Sequence, residues 1–261
     1  MLNLRYLAKA MMHAHHRFHQ ANSVLPFLAA STMNLRGFRD EVVRSFADFN
    51  LNDAEIFDGF MPWEQRLYDR VRPGERVLLV GCGSGRDLLP LLELGCEVVG
   101  IEPAAPPLAR AQEVLAGRGL VARLVHGCFE DVDLTGGFDV ISFSYFCYSY
   151  IPVRRRRIDV LRKARGHLAA GGRLLVSYID EPRRSRGRAL RIARLCGDLV
   201  RSDWRLEAGD YVRLGPGDTT TLWYQHAFVP GELEEEAREA GLRVAFQGVP
   251  ERDPFMVLVA S

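Results

Sequence analysis

The 261-residue chain is nearly without lysine: Lys9 and Lys163 are the only two among 34 basic residues, the rest being arginine. No pair of cysteines has C-x-x-C spacing, and the count of five is odd: Cys82, Cys96, Cys128, Cys147 and Cys196. Those absences argue against a zinc ribbon, a thioredoxin-like redox site and a disulfide framework, and leave thiols used as small core residues in a reducing compartment. No apolar run approaches the ~18 residues that span a bilayer. The first residues carry charges and histidines, which makes a poor secretory leader. With a net charge of +1, the chain as a whole has no field to draw in a polyanion. A cytoplasmic enzyme-sized protein is expected, as a monomer or homodimer, with no membrane partner.

Two nucleotide-binding motifs are missing as well. G-x-x-x-x-G-K-[ST] does not occur, which excludes a P-loop. The dinucleotide fingerprint G-x-G-x-x-G fails in both registers: its last position falls on Arg86 counted from Gly81, or on Leu88 counted from Gly83. Bulk at that position blocks the close helix–strand packing needed over a pyrophosphate, so NAD and FAD are disfavoured.

What is present is an alternation. Residues 1–72 read as helical, with apolar positions at helical spacing in "NLRGFRDEVVRSFADF" and "MPWEQRLYDRV". From 73 onward short apolar strands (76–80, 97–102, 122–127, 138–146, 173–179) alternate with helices (86–95, 106–119, 154–169) closed by glycines. Strands that are apolar throughout belong to a parallel sheet covered on both faces. The rhythm breaks at about 181–228. There a basic, helical stretch precedes "YVRLGPGDTTTLWYQHAF", a hairpin with its turn at Gly215–Asp218. A helix, a strand and "FMVLVA" (255–260) then complete the chain. The expected fold is α/β: a Rossmann-like, doubly wound, mostly parallel sheet. To it are added a helical N-terminal extension (1–72) and an α+β cap inserted into the 73–261 domain.

The turn after the first strand, "VLLVGCGSGRD", is spaced G-x-G-x-G, and the second strand ends on an acid in "GIEPA". Glycines there let backbone approach a ligand, and the following helix offers unpaired N–H groups. Together with "LVHGCFEDVDLTGGFDVISFSYFCYSYIP", "LRKARGHLAAGGRLLVSYI" and "FVPGELEEEAREAGLRV" in that order, the chain over about 63–260 resembles the class I S-adenosylmethionine (SAM) dependent methyltransferases. The resemblance implies an antiparallel last strand in the sheet and SAM as methyl donor, with S-adenosylhomocysteine as product. It places Gly81, Cys82, Gly83, Gly85 and Asp87 about the methionine portion, and Glu102 with Pro103 at the ribose. Cys128, Phe129 and Glu130 fall at the adenine, and Ser144 and Tyr145 at the boundary with the acceptor. Cys128 stands where the family often has an acid, so adenine recognition is expected to move to Glu130 or to the Phe129 backbone.

Methyl transfer requires an in-line nucleophile, and a base only if that nucleophile is protonated. His226 is the candidate base. Tyr148, with Tyr145 and Tyr150, is a candidate for shaping the acceptor pocket and steadying the sulfonium; packing under the cap is the competing reading. The N-terminal helices would form a lid, with Trp63 or Tyr68 against the donor. "AMMHAHHRFHQ" offers histidines at 13, 15, 16 and 19 but no carboxylate or cysteine beside them, so no metal site is expected. Arginines 154–157 and those from 183 to 194 open or line helices without interleaved aromatics, which argues against a nucleic-acid substrate. Expected is methylation of oxygen or nitrogen on a small molecule. The alternatives are a SAM-binding protein without catalysis and a nucleic-acid or protein methyltransferase using the arginine-rich cap.

Overall fold

The computed structural model describes residues 24–47, 53–180, 187–215, 221–249 and 252–261. The histidines at 13, 15, 16 and 19, the arginines at 183, 184 and 186, and the hairpin tip at 216–218 lie outside the described residues.

Helices α1 (24–32), α2 (Leu35–Ala47), α3 (Asp53–Phe57) and α4 (Pro62–Tyr68) precede the first strand. There follow β1 (Arg76–Val80), α5 (Leu88–Glu93), β2 (Glu97–Glu102), α6 (Ala105–Arg118), β3 (Arg123–His126) and β4 (Phe138–Phe143). A 3-10 turn (Cys147–Tyr150) leads to α7 (Arg154–Gly166) and β5 (Leu168–Ser177). The insert carries β6 (Ile179–Asp180), α8 (Gly187–Leu199), β7 (Asp210–Leu214) and β8 (Leu222–Phe228), before α9 (Glu232–Glu239), β9 (Leu242–Gln247) and β10 (Phe255–Ala260).

Seven strands form the main sheet in the order β3-β2-β1-β4-β5-β10-β9. β1 pairs in parallel with both β2 and β4, while β10 runs antiparallel to β5 and β9. Successive side chains of β1 serve opposite faces. Val77 and Leu79 pack with α4, α5 and α6, whereas Leu78 and Val80 join α7 and α9. A two-sided core of this kind explains why the strands read as unbroken apolar runs. Pro106 and Pro107 start α6 where missing N–H groups cost nothing, and Gly119 ends it at φ +65°, a left-handed cap.

α5 is shorter than the pattern over 86–95 implies. Asp87 stands at the N-cap position with its carboxylate turned to Arg86 and Ser144 instead of the helix, and Arg86 is drawn out of the helix into ion pairs. α7 stops at Gly166 rather than 169, because β5 takes up Leu168 to pair with Phe138.

The N-terminal helices divide between two partners. Phe27, Ala30, Phe38 and Val42 of α1 and α2 pack with Ala193, Trp204, Leu206, Val212 and Tyr224 of the insert in a third core. Phe38 stacks on Trp204 at 4.5 Å and meets Tyr224 edge-on at 5.4 Å. α4 instead buries Leu67 and Tyr68 beneath the main sheet, with the Tyr68 hydroxyl 2.9 Å from Ser142 Oγ. Because β1 reverses the winding between β2 and β4, the carboxyl ends of these strands open into the crevice where ligands of open α/β sheets sit.

Candidate active site

The crevice is a cavity of about 500 Å³, within the range of small-molecule sites. Its floor is the glycine turn. Gly81, Gly83 and Gly85 have φ of +79°, +51° and +99°, a region that costs other L-residues about 1–2 kcal/mol each. The first two amides of the turn, Gly81 N and Cys82 N, donate to the Ile101 carbonyl at 2.8 and 3.0 Å. Gly83 N donates to Glu102 Oε2 at 3.0 Å, and Ala104 N to Glu102 Oε1 at 2.9 Å. Burial raises the Glu102 carboxyl above its usual range, and these two backbone bonds oppose the rise. Space is open beside Gly83 where a Cβ would project, so a ligand can lie against its backbone.

Gly81, Cys82, Gly83, Asp87, Glu102, Pro103, Cys128, Phe129, Glu130, Ser144 and Tyr145 all border this cavity. Gly85 does not. A Cβ there would meet the Ala111 backbone at an ordinary 3.5 Å contact, so it is the φ of +99° that calls for glycine. Asp87, 2% exposed, takes hydrogen bonds from Arg86 Nε at 2.7 Å and from the Ser144 hydroxyl. Arg86 also pairs with the buried Glu64 of α4 and lies 4.7 Å over the Tyr145 ring. Burial and the charge of Asp87 push the Glu64 carboxyl up to about 7 against the pull of Arg86. Arg86 thus ties the N-terminal segment to the wall of the cavity, a role no local motif announces.

At the far end Phe129 is 3% exposed and meets Phe143 edge-on at 5.8 Å, so it belongs to the core as much as to the cavity wall. Glu130 accepts from Arg39 of α2 at 3.0 Å and from Arg156 of α7 at 2.8 Å. The Cys128 thiol is raised to about 11, first by burial and then by Glu130, so it is neutral near pH 7. The turn after β4 holds two strained residues, Tyr145 at φ +40° and Phe146 at +64°. The Phe146 amide donates to Ser177 Oγ at 2.8 Å, and its ring stacks on Trp63 at 5.1 Å.

The structure corrects both catalytic candidates. Tyr148 is fully buried and does not border the cavity; its hydroxyl donates to Glu236 at 2.7 Å. Burial and that carboxylate raise its ionisation well above the ordinary tyrosine value, so it serves neither as base nor as an aromatic wall. His226 is likewise wholly buried and away from the cavity. Nδ1 lies 2.7 Å from Asp210 and Nε2 3.0 Å from Glu232. Burial lowers the imidazole's basicity, but the two carboxylate bonds outweigh it and raise the group to about 9. Both rings belong to an ionic network around the buried Arg157, which pairs with Glu236 at 2.7 Å and Glu207 at 3.2 Å. Glu207, Asp210 and His226 also lie close enough together to suggest a metal. Their atoms are already engaged, however: Asp210 Oδ2 takes the Glu207 N–H, Glu207 takes the Arg154 N–H, and the Arg157 guanidinium supplies the cation.

The lid differs from expectation too. Neither Trp63 nor Tyr68 borders the cavity. Phe60, Met61 and Pro62 do, together with Arg39, Val42, Val43 and Phe46 of α2. Phe46 and Trp223 carried no local signal, since only the packing of α2 on β8 brings them to the site.

Residues 78–174 match the family model of a methyltransferase domain. The chain is 30% identical over 107 residues to the cypemycin N-terminal methyltransferase of a Streptomyces species, covering 41% of this chain and 43% of that protein. It is 33% identical over 176 residues to the 23S rRNA (uracil(1939)-C(5))-methyltransferase RlmD of Alkalilimnicola ehrlichii, over 65% of this chain and 36% of that protein. The chain therefore spans less than half the length of these curated relatives. Among solved structures, SAM-bound CalS10 of Micromonospora echinaspora, an amino pentose methyltransferase, superposes with a TM-score of 0.53 at 20% identity, over 82% of this chain and 94% of that one.

Proposed function

We propose that this chain, which carries a methyltransferase domain in the Rossmann-like class I fold, transfers a methyl group from SAM to a small-molecule acceptor. The observation that carries the reading is Glu102 at the end of β2. Its carboxylate is anchored by the Gly83 and Ala104 amides, borders the cavity, and keeps lone pairs for a pair of ribose hydroxyls. The donor set fits the rest of SAM. Open backbone at Gly83 and the carboxylate of Asp87 suit an amino-acid moiety, and the Cys128–Glu130 segment suits an adenine ring. When bound, SAM supplies an electrophilic methyl group on a sulfonium. The chain's part is to hold that ligand on the glycine turn, exclude water beneath α2 and the α3–α4 loop, and orient the acceptor at the carboxyl end of β4.

A nucleic-acid acceptor is disfavoured by the pairing of the arginine run. Arg154 is tied to Glu239, Arg156 to Glu130 and Arg157 to Glu236, so these cations are neutralised within the fold. Among the described residues no helix is long and apolar enough to cross a membrane.

Calorimetric titration of the purified protein with SAM, S-adenosylhomocysteine and NAD tests the proposal. Expected is binding of both adenosyl ligands, lost in Gly83→Arg, with none of NAD. Absence of adenosyl-ligand binding would overturn it. Retention on an RNA column that falls steeply with salt would favour the nucleic-acid reading instead.

A further inference from the structure

Helix α8 of the insert turns its small residues to the fold and its large ones to the outside. Ala189 and Ala193 are buried in the third core, and a Cβ on Gly197 would come within 3.1 Å of the Ser31 carbonyl of α1. Ile192, Leu195 and Leu199, spaced i, i+3 and i+7, share the outer face at 46%, 63% and 84% exposure. Val200 prolongs it at 52%. Single exposed leucines are ordinary, but a continuous aliphatic stripe edged by charge marks an interaction surface.

The charges about the stripe choose what covers it. Arg188 continues its line one turn earlier, Arg191 flanks it, and Arg194 lies one turn further along that side. Arg191 and Arg194 each donate from Nε to a backbone carbonyl, of Gly187 at 3.2 Å and of Leu206 at 2.8 Å. Among the described residues no carboxylate pairs with Arg188, Arg191, Arg194 or Arg201. Asp198, the one acid of the helix, is already taken by Arg205 at 2.7 Å. On α7, by contrast, Arg154, Arg156 and Arg157 are all paired within the fold. The bias is also plain in the sequence. Residues 182–197 hold six arginines and no acid, and residues 1–23 hold Arg5, Lys9 and Arg17 and no acid, whereas the rest of the chain has 33 acidic against 25 basic residues. A second copy of α8 would thus set arginine against arginine, and the chain's own N-terminal stretch offers no opposite charge. Single-stranded nucleic acid calls for aromatic rings among the arginines, but here the interleaved residues are aliphatic. An anionic lipid surface meets both features, since acyl chains receive the aliphatic side chains while headgroup phosphates pair with the guanidinium groups.

We propose that α8 is a peripheral membrane contact, lying in the interfacial plane of an anionic bilayer with Ile192, Leu195 and Leu199 inserted and Arg188 and Arg191 on the phosphates. The expectation of no membrane partner rested on the lack of a spanning run, and a helix that lies on the surface needs none. This contact is independent of the methyl-transfer reading.

Co-sedimentation of the full chain with extruded vesicles tests the proposal, using phosphatidylcholine alone and an equimolar mixture with phosphatidylglycerol. Expected is binding to the mixed vesicles, little to phosphatidylcholine alone, and release at high salt. The double variant Leu195→Gln, Leu199→Gln lowers the partition coefficient by about tenfold or more. Arg188→Gln and Arg191→Gln lower it by about fivefold each. Because all four side chains are exposed, the urea midpoint of every variant stays at that of the parent, which verifies folding. No binding to the mixed vesicles, equal binding to both kinds, or binding that the double variant keeps in full would overturn the proposal. So would a dimer, seen by light scattering, that the double variant dissociates, since the stripe would then belong to a second copy of the chain.

Discussion

Gly83 and Glu102 are joined by a 3.0 Å hydrogen bond from the glycine amide to the carboxylate, so the middle of the glycine turn and the end of the second strand form one unit. The acid therefore shapes the turn before any ligand arrives. Glu102→Gln keeps the size but removes the charge and half of the acceptor capacity. Its affinity for S-adenosylhomocysteine is expected to fall by roughly 10- to 100-fold, corresponding to about 1.5–3 kcal/mol for hydrogen bonds to a charged group. An unchanged Kd in calorimetry would remove Glu102 from the ligand.

Gly85 and Gly83 are expected to separate. Gly85→Ala forces φ +99° on a residue with a Cβ, so unfolding free energy drops by about 1–2 kcal/mol. Ligand affinity, corrected for folding, is expected to hold. Gly83→Arg fills open space beside the ligand and abolishes binding at a smaller cost in stability. Urea melts paired with titrations distinguish the two.

Tyr148→Phe is expected to leave kcat within about threefold and to lower stability by about 1–3 kcal/mol, because buried Glu236 loses one donor. A fall in kcat of a hundredfold or more with unchanged stability would return this tyrosine to the chemistry.

His226 links stability to alkaline pH. Its folded-state value of about 9 lies above the unfolded 6.5. The stabilisation is therefore complete below about pH 6.5 and disappears as pH rises through 9. Urea unfolding across pH 6–10 should show a loss of at most roughly 3 kcal/mol from this group, absent in His226→Gln. A stability difference between the two proteins that does not change with pH would refute the linkage.

The parallel α/β unit was legible because each of its signals is local. A strand buried on both faces is apolar along its length, a helix ends where glycine permits a left-handed residue, and the turn from Gly81 to Asp87 needs glycines at fixed positions. Eleven of the twelve residues assigned to the donor from sequence border one cavity, Gly85 being the exception. The catalytic candidates were not legible. Histidine and tyrosine near the carboxyl edge of a sheet look alike whether they face a ligand or a buried acid. What sends Tyr148 inward is Glu236, 88 residues away, and what holds His226 is a network organised by Arg157 from a different helix.

The sequence by itself determined the alternation of strand and helix, the parallel character of the sheet and the glycine turn with its acid, since these follow from periodicity and backbone freedom over spans of a few residues. Only the tertiary structure decided which polar groups are spent inside the fold and which face the cavity. It also decided that α2 and the β7–β8 hairpin, with no local pattern in common, bring Phe46, Tyr150 and Trp223 together. Burial and electrostatic pairing are set by contacts between distant segments, and no window along the chain contains both partners.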